Sequence, residues 1–81
     1  MSDNVCMGDV MAITQNDIDN WFSYHVPLPG QPERYQALRT KAGELARLIV
    51  DLTPAGVDQA VAIRKLRECI MTANASIACG E

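Results

Sequence analysis

The sequence predicts an all-α fold: a short N-terminal helix, then a long antiparallel helical hairpin, assembling as a homo-oligomer. Three observations carry this. Apolar residues recur with 3-4-3-4-3 spacing at Tyr35, Leu38, Ala42, Leu45, Ile49 and Leu52. A second seam of the same kind runs through Ile63, Leu66, Ile70, Ala73 and Ile77. Between them stands Thr53-Pro54-Ala55-Gly56, a segment that breaks a helix. Such seams mark helices packed side by side, and a short connection makes the two antiparallel neighbours.

Taken in chain order, residues 1–13 lack helical periodicity and are expected to form an N-terminal tail, with the hairpin domain spanning 14–81. Thr14 can cap a short helix running to Trp21 or Phe22, with Asp17 three residues on standing in for the acidic partner of a capping box. Ile18, Trp21 and Phe22 share one face of that helix, and the aromatic pair is expected to be core. Tyr24-His25-Val26-Pro27-Leu28-Pro29-Gly30 must be extended or turning, because each proline disfavours helix in the residue before it. A long helix is expected from about Pro32, where proline suits the first turn and Glu33 complements the helix dipole. Within it Gly43 weakens helix propensity and is expected to permit a close approach. The next helix is expected from Val57 or Asp58 to Ala78, with Gly80 as its stop.

A chain of 81 residues is short for a self-sufficient core. Val50, Val57, Val61, Met71, Ala75 and Ala78 lie off the two seams, and two helices with a stub cannot cover them. Hence the expectation that hairpins pack together. No run of 18 apolar residues exists to span a membrane.

The net charge of −3 argues against a long polyanion as partner. Its distribution is more informative. Residues 1–33 hold five acids and no Lys or Arg, whereas residues 34–67 hold all seven bases and three acids. A confined basic segment suits a small anion; a solvated helix surface is the plain alternative. The odd cysteine count (Cys6, Cys69, Cys79) without a secretory signal points to free thiols in a reducing cytosol, with Cys69 expected to be a small buried residue. With His25 the sole histidine and no tight ligand spacing, no zinc site or other cofactor is implied.

Arg34, Arg39 and Lys41 flank the first long seam, where they border whatever packs there or cover it with their stems. Arg47 and Asp51 are spaced to pair on the outer side. Tyr24 and His25 precede this basic face; a ring that stacks on a base beside a guanidinium that takes phosphate is what a nucleotide needs. Arg64, Lys65, Arg67 and Glu68 cluster on the second long helix, and Asn74 is the one polar residue among small ones, suited to a ligand or an oligomer contact. No phosphate-binding glycine motif and no Ser/His/Asp set is present, so binding without turnover is expected.

The stretch Asn20-Trp21-Phe22-Ser23-Tyr24-His25-Val26-Pro27, then Gln31-Pro32-Glu33-Arg34-Tyr35 and Leu38-Arg39, resembles the hairpin domain of phage anti-CBASS cyclic-oligonucleotide sponges, shared with the Thoeris anti-defence sponge. The closing run Leu66-Arg67-Glu68, Met71, Ala73-Asn74-Ala75 and Ile77-Ala78 fits the same pattern, so the resemblance covers about residues 14–79. It implies a homohexamer in the infected host's cytoplasm that captures cyclic dinucleotides between protomers, and in some members cyclic trinucleotides in separate pockets, without cleaving them. Carried over, Tyr24 stacks on a base, Phe22 and His25 shape the wall, and Arg39, then Lys41, meets phosphate. Arg64, Arg67 and Asn74 belong to a second pocket or to assembly. The rival expectation is a structural or protein-interaction hairpin with no nucleotide ligand.

Overall fold

The computed structural model describes residues 12–81. Three helices follow one another: α1 (Gln15–Trp21), α2 (Gln31–Leu52) and α3 (Val57–Gly80). The two long ones form the hairpin, and α1 packs on α3. Residues 1–11 of the expected tail lie outside the described residues.

Local chemistry sets each boundary. Thr14 Oγ1 accepts from the Asp17 amide at 3.1 Å, and the Asp17 carboxylate accepts from the Thr14 amide at 2.9 Å, completing the capping box. Leu28-Pro29-Gly30-Gln31 carries the signature of a type II turn: the Gln31 amide donates to the Leu28 carbonyl at 3.0 Å. Gly30 holds φ 86° and ψ −16°, a left-handed conformation that glycine adopts without strain. Helix α2 starts one residue earlier than expected, with Pro32 in its first turn. At its far end the Thr53 amide and hydroxyl both donate to the Ile49 carbonyl, at 3.1 and 2.7 Å. The Gln59 amide then ties the interhelical turn, donating to the Thr53 carbonyl and hydroxyl, each at 3.1 Å.

The α3 seam is as expected: Ile63, Leu66, Ile70, Ala73 and Ile77 are all partly buried. The α2 seam is not. Its partly buried side chains are those of Tyr35, Leu38, Ala42, Ala46 and Ile49, with Gly43 partly buried beside them, while Leu45 and Leu52 face outward. Ala42 and Ala46 line one concavity with Ile63, Leu66 and Ile70 of α3. The spacing of the named seam positions is 3-4-4-3, against the expected 3-4-3-4-3.

Other expectations are corrected as well. Helix α3 runs to Gly80, two residues past the expected end at Ala78. Gly43 lies against no other helix: a Cβ there would meet only the Arg47 guanidinium, at 3.5 Å. Arg47 thus lies back over Gly43, and among the described residues it forms no ion pair with Asp51. Cys69 is exposed, because its position faces away from the seam. Phe22 is 82% exposed and Trp21 half-exposed, so neither is core within one chain.

Polar bonds close the open end of the hairpin. Gln31 is the only described residue that is truly buried, at 3% exposure. Its Oε1 accepts from the Leu28 amide at 2.9 Å, and its Nε2 donates to the Ile77 carbonyl at 3.2 Å and to Glu81 at 3.1 Å. Arg34 forks onto Glu81, with Nη1 donating to Oε2 at 2.8 Å and Nη2 paired with Oε1. These bonds, first from Arg34 and then from Gln31, hold the Glu81 carboxyl down to about 2.

Two outcomes follow. Gly43→Ala should raise unfolding stability by about 0.8–1 kcal/mol in urea titrations, since the new methyl meets only a flexible side-chain end. The Arg34–Glu81 clasp acts on stability in acid. A carboxyl whose pKa falls on folding stabilises above its ordinary value of 4.5 and loses that contribution as pH drops toward about 2. Glu81→Gln should therefore lower the melting midpoint slightly at pH 7 and not at pH 2, in parallel thermal melts.

Candidate functional site

The hairpin leaves concave surfaces on both sides of its helix pair. One of them, an open groove of about 560 Å³, is lined by two of the candidate residues, Arg39 and Asn74. Its α2 wall is Tyr35 and Arg39, one turn apart; its α3 wall is Met71, Asn74, Ala75 and Ala78. Arg39 also borders the adjoining concavity, together with Arg67 and Met71. The α2–α3 packing thus sets Arg39 beside Asn74 in one groove and beside Arg67 in the adjoining one.

Arg39 is exposed, and its Nη2 donates to Gln36 Oε1 at 2.5 Å within its own helix. Among the described residues it has no carboxylate partner. Lys41 is placed differently. It borders a separate concavity of about 390 Å³ with Arg34, Ala37, Leu38 and Ile77, and its Nζ stands 3.5 Å from Glu44 Oε1. Arg64 and Arg67 share a recess with Glu68 and Met71 on α3.

The aromatic candidates stand apart from these cations. Tyr24 is 84% exposed, and neither it, Phe22 nor His25 borders the grooves that hold Arg39 and Lys41. His25 is partly buried and braces the fold. Its Nε2 lies 2.6 Å from the Asn20 carbonyl, which can only accept, so Nε2 carries the proton. The Cys79 sulfur lies 3.7 Å from the same nitrogen. Asn20 in turn donates to the Cys79 carbonyl at 2.9 Å, pinning the end of α1 to the end of α3. The constrained segment carrying Tyr24 is therefore anchored on both sides, at His25 and at the Leu28–Gln31 turn, while the tyrosine ring itself is presented to solvent.

Sequence reasoning placed Tyr35 in the hairpin seam; it also lines the groove beside Arg39. The signal was its i, i+4 relation to Arg39, which puts the two on one helix face. Gln31 and Asn20 were not singled out for their own roles, and both prove to be the clasps that set the end of the hairpin. Nothing in their local pattern reveals this, because their partners Ile77 and Cys79 are remote in sequence.

Asn74 Oδ1 is sealed from solvent and has no hydrogen-bond partner. Among the described residues no group of three or more His, Cys, Asp or Glu is placed to hold a metal ion. None of the described helices is long and apolar enough to cross a membrane. In comparison with known families, residues 14–78 match the model described as Acb2/Tad1, hairpin domain. No curated protein and no solved structure gives a significant match.

Proposed function

The chain belongs to the Acb2/Tad1 hairpin-domain family, whose role is phage anti-defence, and on that premise we propose that it binds cyclic oligonucleotide immune signals and withholds them uncleaved from the host's CBASS effectors. The ligands are cyclic dinucleotides such as cyclic GMP–AMP, with cyclic trinucleotides as a second class. The setting is the cytoplasm of the infected bacterial cell.

One observation carries this reading beyond family membership. Arg39, without a carboxylate partner among the described residues, lines an open groove beside an aromatic ring and an amide whose oxygen is unpaired. A guanidinium forks onto phosphate, and a ring and amide offer stacking and edge contacts to a base. A groove this open holds a small ligand weakly until something covers it. In the proposed assembly, a homohexamer, a second copy supplies the cover. The exposed apolar side chains of Leu48, Val50, Val61 and Met71 are the surface that such packing removes from water. It also brings Tyr24 of one copy to the Arg39 groove of another, which one chain alone does not do. Lys41 adds a second phosphate contact, with Phe22 and His25 backing Tyr24; Arg64 and Arg67 serve the trinucleotide pocket.

Sequestration acts by affinity, and its readout is intact ligand. Incubation with a panel of cyclic di- and trinucleotides should raise the melting temperature, and denaturing the complex should release the messenger unaltered by mass spectrometry. A shift with none of the panel would favour the protein-interaction hairpin instead, and cleaved products would mean an enzyme. Tyr24→Ala and Arg39→Ala should each weaken cyclic dinucleotide binding by about tenfold or more, the scale of a lost stacking or charge-assisted contact. Light scattering should show the assembly intact in both variants. Unchanged calorimetric affinity in both would remove these residues from the site.

A further inference from the structure

Asn74 is a polar side chain on a stretch of α3 whose other groove-lining residues are Met71, Ala75 and Ala78. Its Oδ1 is enclosed and accepts no hydrogen bond. Buried acceptors are almost always paired, because a polar atom that gives up water without replacement destabilises the fold. Since no bond holds this oxygen inward, turning the amide toward the groove breaks none made by that atom. Turned that way, the oxygen becomes an acceptor in the groove, unpaired among the described residues and open to a ligand's donor.

A carboxamide offers one acceptor and one donor side by side. That is the complement of the adenine edge made by the N6 amino group and N7. Guanine shows two acceptors, O6 and N7, at the equivalent edge, which a carboxamide cannot match with both atoms. Across the groove, Tyr35 offers a ring face and Arg39 a charge for the phosphate linking the bases. Donor, acceptor, ring and cation thus line one concavity of about 560 Å³, within the usual range for a small-molecule site.

We propose that Asn74 is the residue that reads adenine, making the groove selective for cyclic nucleotides that contain adenine over those built from guanine alone. This rests on the nucleotide-binding reading above and adds a specificity residue to it.

The test is calorimetry of the full chain with cyclic di-AMP and cyclic di-GMP, for the wild type and Asn74→Asp. Aspartate keeps the acceptor and removes the donor; it can also accept from guanine N1–H and the N2 amino group. The wild type should bind cyclic di-AMP about tenfold or more tightly over cyclic di-GMP, the scale of one bidentate base contact. In Asn74→Asp that ratio should collapse toward one or invert, with the oligomer unchanged by light scattering. Asn74→Ser, small and neutral, should also lower the ratio and serves if the aspartate variant does not fold. An equal affinity of the wild type for both ligands overturns the proposal. So does an unchanged ratio in the variants, including one accompanied by loss of the oligomer, which would make Asn74 an assembly residue. A wild type that binds neither ligand, nor any other messenger of the panel, overturns the nucleotide-binding reading itself.

Discussion

Two helices cannot enclose a core. Each can turn one stripe toward the other, and the remaining circumference of both stays in water. Among the described residues this geometric limit is visible directly: no hydrophobic side chain is buried, and the seam residues are only partly covered. A chain under such a limit needs other means of fixing its register, and other surfaces to complete its burial. Most of the remaining features follow from these two needs.

Polar bonds at the two ends of the hairpin meet the first need. At the turn, Gln59 reaches back to Thr53 and closes the loop on the helix it follows. At the open end, Gln31 links the start of α2 to the last turn of α3, Arg34 holds Glu81, and Asn20 fastens α1 to Cys79. Bonds of this kind are directional, unlike apolar contact. They allow one register of α2 against α3, and thereby decide which α2 residues face which on α3. The groove containing Arg39 and Asn74 is a product of that register. The buried position of Gln31 matters for the same reason: shielded from water, its three bonds do not have to compete with solvent.

The second need bears on function. The described chain presents Tyr24 at one end and Arg39 along one side, both open, with no shared concavity. In the proposed homo-oligomer, a binding surface divided in this way is completed by association, with the outward apolar residues on α2 and α3 as the surface for it. The economy of a short chain and its proposed role as a signal sponge are therefore two sides of one arrangement, in which a copy contributes part of a pocket and gains stability from its neighbours. The basic middle segment takes on meaning here as well. Its cations are spread over separate concavities, and Arg39 is the one placed beside both an aromatic ring and an unsatisfied amide.

By itself the sequence determined the helices, the capping box at Thr14, the turn through Pro29 and Gly30, and the α3 seam. All of these depend on residues within a few positions of one another, where propensity and hydrogen-bond geometry act without long-range help. It also determined the family, through a run of motifs from Phe22 to Ala78. Only the tertiary structure decided that Ala46 and not Leu45 faces α3, because the choice depends on how α2 is rotated against Ile63, Leu66 and Ile70 across the interface. Only the packing turned Gln31 into the buried clasp, and only the packing set Asn74 beside Arg39 with an unpaired oxygen. Those pairings join residues more than thirty positions apart, and their contacts come into being with the register of the hairpin.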